Sequence, residues 1–158
     1  MGKQYVQIII NSFHSVLESV VSCPVLRSEI REDSHHADPQ AILVMIGVAG
    51  DVDGEVYMSM GVDAGKSLAS QMLGGMEIDD DELMLSAVSE LCNMMVGNAC
   101  STMNDVQVDM TPPSVVSDKA IQNKPHYDIY GISFSLEKLG SVDLNMLMRD
   151  RLIEIGKG

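Results

Sequence analysis

Asp79-Asp80-Asp81-Glu82-Leu83-Met84-Leu85-Ser86-Ala87-Val88-Ser89-Glu90-Leu91-Cys92-Asn93-Met94-Met95-Val96-Gly97-Asn98-Ala99-Cys100-Ser101-Thr102-Met103-Asn104 is the longest helix signal in the chain. The acidic run at its start suits a helix N-terminus: Asp is a favoured cap, and first-turn carboxylates face the positive end of the dipole. The stretch has no Pro, and its one glycine is Gly97. At about 100° per residue, Met84, Val88, Leu91, Met95, Ala99 and Thr102 fall on one side, flanked by Ala87, Cys92 and Asn98. That side reads as a core face. Ser86, Glu90, Asn93 and Gly97 fall opposite, in a narrow outward stripe, so Glu90 and Asn93 are neighbours one turn apart.

The pair has usable chemistry. Glu90 offers a carboxylate to a cation. Asn93 offers a carboxamide that both donates and accepts, so it can hold a water by two contacts. Ser86 and Gly97 are small and let another surface come close. On spacing alone the stripe reads first as a solvated helix face.

The segment around it is more informative. Ser86-Ala-Val-Ser-Glu90-Leu-Cys-Asn93-Met-Met-Val-Gly97-Asn98-Ala resembles the signature of the CheX/CheC family of chemotaxis phosphatases: Asp or Ser, three residues, Glu, two residues, Asn, then a small-residue segment with Gly. A Pro-containing strand start follows in that family, matched here by Met110-Thr-Pro112-Pro113-Ser-Val-Val116. Ser117 stands where that family often has Gly. CheC-like members carry a second Glu-x-x-Asn motif on another long helix. Here Glu90-x-x-Asn93 stands alone, which favours CheX.

The rest of the chain frames this segment. Its 158 residues suit one domain, read as a single CheX-like domain over 1–158, with enough chain to bury a core. The chain is 46% hydrophobic, with thirteen Met, two Phe and no Trp, so the core is aliphatic and rich in sulfur. A net charge of −13 repels phosphate backbones and anionic lipid, so neither nucleic acid nor a membrane is an expected partner. No apolar run reads as a membrane span, and the N-terminus does not read as a secretory signal. Cys23, Cys92 and Cys100 are an odd set without metal-like spacing and read as reduced thiols, consistent with a cytoplasmic protein.

Val6, Ile9, Ile10, Phe13, Val16, Leu17 and Val20 recur at helical spacing and predict a first helix over 3–22, ended by Cys23-Pro24. Val25 to Ile30 reads as a short strand, followed by a polar connector. His35-His36 between Asp33 and Asp38 raises a metal site, but nothing nearby completes a ligand set. Residues 41–62 read as a β-hairpin around Ala49 to Glu55. Asp51-Val52-Asp53-Gly54 lacks the remaining ligand spacing of a calcium loop. Asp63 reads as the cap of a second helix, Ala64 to Leu73, closed by Gly74-Gly75. Gly61 to Ser67 lacks the glycine spacing of a phosphate loop. Val106 to Met110 and Ser114 to Val116 read as strands. Tyr127–Leu136 and Ser141–Met148 alternate at period two around a turn at 137–140, before a charged tail.

This order implies an α+β fold, with helices on one face of an antiparallel sheet. The resemblance implies the same: two long helices packed on one face, a CheX-like/CheC-like fold. It further implies a phosphatase acting on the phospho-aspartate of a CheY-like response regulator. Asn93 would orient the attacking water and Glu90 would pair with the regulator's active-site Lys, with Ser86 and Gly97 at the docking face. No metal or cofactor is expected on this chain, the Mg²⁺ belonging to the regulator. A homodimer is expected, and Ser141–Met148 reads as an edge strand suited to sheet extension. The alternative reading is a non-catalytic module that binds a response regulator or a flagellar-switch component.

Overall fold

The computed structural model describes residues 3–21, 24–32, 41–103, 106–122, 124–137 and 139–150. The elements run α1 (Lys3–Val20), β1 (Val25–Glu32), β2 (Ile42–Gly50), β3 (Val52–Met60), α2 (Val62–Met72), α3 (Asp81–Thr102), β4 (Val108–Met110), β5 (Ser114–Val115), a 3₁₀ turn (Asp118–Ala120), β6 (Asp128–Leu136) and β7 (Gly140–Asp150). The seven strands form one antiparallel sheet in the order β1-β6-β7-β3-β2-β4, with β5 also on β2. The α+β expectation therefore holds, with two long helices on one sheet face.

Period-two patterning sorts the strands onto two faces. Ile42, Val44, Ile46 and Val48 of β2, Val56, Met58 and Met60 of β3, and Ile132, Phe134, Val142, Leu144 and Met146 of the β6–β7 pair join the helices in the main core. α1 contributes Val6, Ile9, Phe13, Val16 and Leu17, the stripe expected from spacing. Phe13 stacks on Phe134 with ring centroids 4.3 Å apart. The main core joins helix and strand side chains, and Met58, Met60, Met84, Met95, Met146 and Met148 are all in it.

The other face is not bare. Leu43, Tyr57, Ile129 and Leu147 bury against Ile121, from the connector between β5 and β6. Polar contacts fasten this strap. Lys124 pairs with Glu55, the Tyr57 hydroxyl, which also bonds Glu55, donates to the Ala120 carbonyl at 3.2 Å, and Arg149, paired with Asp53, lies over the Tyr127 ring at 5.0 Å. Burial and the Glu55 carboxylate both raise the Tyr57 pKa. The connector over 117–125 is otherwise polar apart from Ala120 and Pro125. Ile121, its only large apolar residue, is what the sheet captures.

Three expectations need correction. Ser141–Met148 is no edge strand: β7 pairs with β6 on one side and β3 on the other along most of its length. A hairpin reading cannot see this, because β3, from eighty residues earlier, closes on the side opposite β6. Among the described residues, the free outer edge belongs to β1, which pairs there with β6 alone. Second, Asp63 does not cap α2. Gly61 is the cap and makes no side-chain bond, while Asp63 sits in the first turn. Third, α3 is apolar and long enough, by length and composition, to cross a membrane. Met84, Val88, Leu91, Met95, Val96 and Ala99 are instead buried in the core, while Leu83 is exposed. The His35-His36 segment and Cys23 lie outside the described residues.

Phe13→Ala leaves the Phe134 ring without its stacking partner inside a closed core. We expect it to lower unfolding free energy by about 3–5 kcal/mol, read by chemical denaturation.

Candidate functional site

α3 starts where the acidic run predicted. Asp80 is its N-cap, the carboxylate accepting from the Glu82 amide at 2.9 Å, with Asp81 and Glu82 in the first turn. At the other end the Ser101 and Thr102 hydroxyls donate to the Asn98 and Ala99 carbonyls at 2.8 Å, which satisfies two acceptors of the last turn. Met84, Ala87, Val88, Leu91, Cys92, Met95, Val96 and Ala99 are buried. Val96 was not among the expected core positions, and Thr102 was but is exposed. The helix is gripped from two sides, so its buried arc is wider than a one-sided wheel predicts. On one flank α1 packs, and Ser12 donates to the Met95 carbonyl at 2.5 Å. On the other lies the sheet. Burial pushes the Cys92 thiol up to about 12, so it stays protonated.

The stripe lies where the spacing placed it. Ser86 and Glu90 are exposed, and Asn93 and Gly97 are half-buried. Among the described residues, no hydrogen bond or ion pair engages the Glu90 carboxylate or the Asn93 carboxamide. Both polar groups are free for an outside partner. The two are not equivalent. Glu90 is at the crest of the helix, while Asn93 lies about 60° round towards β4. Cys100 is further round in the same sense, and the Asp109 carboxylate of β4 adds to burial in raising its thiol pKa. Gly97 also faces β4: a Cβ there would meet only Met110 Sδ, at 3.7 Å.

The stripe is convex. A 440 Å³ cleft lies between α2 and the segment before α3, lined by Lys66, Ser67, Ser70, Gln71, Glu77, Ile78 and Leu139. A 340 Å³ groove separates α1 from α3 at Asn11, Ser12, Asn98 and Thr102. Neither includes Glu90 or Asn93. Small molecules are held in concave sites, so a carboxylate and an amide on an open helix face suit a macromolecule that brings its own pocket. Among the described residues, no three His, Cys, Asp or Glu side chains could hold a metal ion together.

The fold and this face define a class: an α+β protein whose long core helix turns an unpaired carboxylate and carboxamide outward. The comparisons make the class specific. The family model for the chemotaxis phosphatase CheX matches residues 42–135, and the chain belongs to that family and is a phosphatase. It is 28% identical over 152 residues to the CheY-P phosphatase CheX of Thermotoga maritima, covering 94% of this chain and 98% of that one. A CheC-like superfamily protein from a Shewanella species superimposes with a TM-score of 0.80 at 21% identity, over 94% of this chain and 99% of that one. The CheX of a CheX–CheY–BeF₃–Mg²⁺ complex from Borrelia burgdorferi is similar in fold: TM-score 0.74, 23% identity, covering 92% of this chain and 97% of that one.

Gly97 is not required by packing, because a methyl there makes only ordinary contact. We expect Gly97→Ala to raise unfolding free energy by up to about 1 kcal/mol through helix propensity, measured by thermal or urea melts.

Proposed function

We propose that this chain hydrolyses the phospho-aspartate of a CheY-like response regulator in chemotaxis signalling. One observation carries the reading: Glu90 and Asn93 stand together on the outward face of a helix whose other sides are locked into the core. In this reading Asn93 enters the regulator's active site. Its amide oxygen accepts a hydrogen bond from a water, its NH₂ group donates, and the water's oxygen is held in line with the phosphorus. That oxygen forms the new P–O bond as the aspartyl O–P bond breaks. The products are a free carboxylate and inorganic phosphate, and the water's proton passes to phosphate or solvent. Positioning supplies most of the rate in such transfers. Glu90 pairs with the regulator's active-site Lys and sets the angle of docking. Ser86 and Gly97 keep the face low enough for contact. The Mg²⁺ sits on the regulator, and no nucleophile of this chain is used. A phosphatase with such a substrate works in the cytoplasm.

A homodimer is part of the same proposal. Sheet extension would use β1, whose outer edge is open and where Leu26 is 66% and Ile30 48% exposed.

Phosphate release from a phosphorylated CheY-type receiver in Mg²⁺ tests the catalytic reading. Asn93→Ala is expected to bind with little change and lose turnover by two orders of magnitude or more. Glu90→Ala is expected to weaken both. A fully active Asn93→Ala protein sinks the role given to Asn93. Binding without acceleration, by wild type and variant alike, favours the non-catalytic module. For the dimer, light scattering at micromolar concentration is expected to give twice the chain mass, with Leu26→Asp shifting it to the monomer.

A further inference from the structure

The edge of the sheet beside α3 is built as a wall, and the register of the strands shows where it stands. In an antiparallel pair, residues directly opposite point to the same face. Met110 lies opposite Val48 and Val115 opposite Val44, and Val44 and Val48 face the helices. Met110 and Val115 therefore project onto the side of the sheet that carries α3. Met110 is half-buried and reaches Gly97, while Val115 is 52% exposed.

Two contacts fix the level of this wall along the helix. Ile42 and Met84 meet at Gly65, where a Cβ would lie 2.8 Å from one and 3.1 Å from the other. Met110, opposite Val48, meets Gly97. From Met84 to Gly97 the helix rises about 20 Å, and from Ile42 to Val48 the strand advances about 20 Å. α3 and β2 thus run side by side in the same direction. Val44, and with it Val115, comes level with Val88 and Ser89, about one residue short of Glu90. Thr111, tied to Gly47, comes level with Met95. The segment between them, with Pro112 exposed and Pro113 half-buried, runs beside Asn93.

The wall is held rigid. The Gln107 amide donates to Asp51 at 2.8 Å, the Thr111 amide to the Gly47 carbonyl at 2.9 Å and the Val116 amide to the Leu43 carbonyl at 2.9 Å. Gly47 in turn donates to the Thr111 hydroxyl at 2.8 Å. The two prolines cannot donate to a ladder; the Thr111 hydroxyl instead takes up the β2 amide of Gly47 as an acceptor. Beyond Val116, the strap pins the segment from the far face through Ile121.

We propose that Met110, Pro112 and Val115 form an apolar contact strip for the phosphorylated receiver domain that Asn93 enters, with Val115 as its exposed anchor. This rests on the reading above. Asn93 leans towards this wall and away from α1, so a partner whose pocket admits the Asn93 amide is brought against it. Glu90 and Asn93 set the chemistry and angle, and the strip adds affinity by burying apolar surface that is already ordered.

The test compares wild type with Val115→Asp, Val115→Asn, Asn93→Ala and Met76→Asp. It reads affinity for a beryllofluoride-activated CheY-type receiver, and KM and kcat for phosphate release. Val115 is exposed, so both substitutions are expected to fold, checked by circular dichroism. Val115→Asp is expected to weaken affinity and raise KM tenfold or more with kcat within about twofold, and Val115→Asn to do so less. Met76→Asp, at an exposed residue between α2 and α3 that belongs to neither β1 nor the strip, is expected to leave affinity unchanged. Unchanged affinity and KM in both Val115 variants overturns the proposal, as does an equal loss in Met76→Asp. Loss of affinity in Val115→Asp supports the strip even if Asn93→Ala keeps its turnover, a result that overturns only the catalytic reading. A wild-type protein that does not bind the receiver overturns both.

Discussion

The arrangement of this protein depends on the burial of α3 from two sides. Met84, Val88, Leu91 and Met95 pack into the core shared with α1 and the inner face of the sheet. Full burial of each such side chain contributes roughly 1.5–3 kcal/mol. The helix cannot roll without exposing several of them, so the orientation of Glu90 and Asn93 is set by residues that never touch a partner. A rotation by one residue, about 100°, would carry Glu90 into an apolar flank. The catalytic geometry of the proposed reaction is thus a by-product of core packing, which keeps it ordered before any partner arrives.

The convexity of the face follows from the same packing. A chain that docked a small substrate would line a cavity, and the two clefts described here lie off the stripe. A helix crest that carries a carboxylate and an amide is complementary to a partner with a cavity of its own. That division of parts suits the proposed reaction, in which the phosphoryl group and its metal belong to the partner. The edge beside the crest is consistent with this. β4 and β5 are too short to lengthen the sheet, and Pro112 and Pro113 close that side to strand addition. What remains is a firm border next to Asn93.

Much of this was readable in the chain. The helix start at Asp80, the apolar stripes of α1 and α3, the hairpin of β2 and β3, and the outward spacing of Ser86, Glu90, Asn93 and Gly97 are local. They follow from caps, periodicity and turn chemistry within about twenty residues. The hairpin loop is tighter than the run Ala49 to Glu55 suggested. The ends of β2 and β3 are extended by β4 and β7, partners that a hairpin reading does not include. Placing β7 at an edge failed for the same reason. Its alternation was plain, but alternation shows which face is buried and not how many neighbours a strand has. Ile121 was passed over because one apolar residue in a polar run has no period.

The sequence by itself determined which residues form each element, which side of α3 is apolar, and that Glu90 and Asn93 share a face. Those properties arise from steric and hydrogen-bonding preferences between residues close in the chain. Only the tertiary structure decided that β7 lies between β3 and β6, that Ile121 packs on the second face, and that Met110 meets Gly97. These depend on strand order, and strand order is set by packing side chains from distant segments into one core.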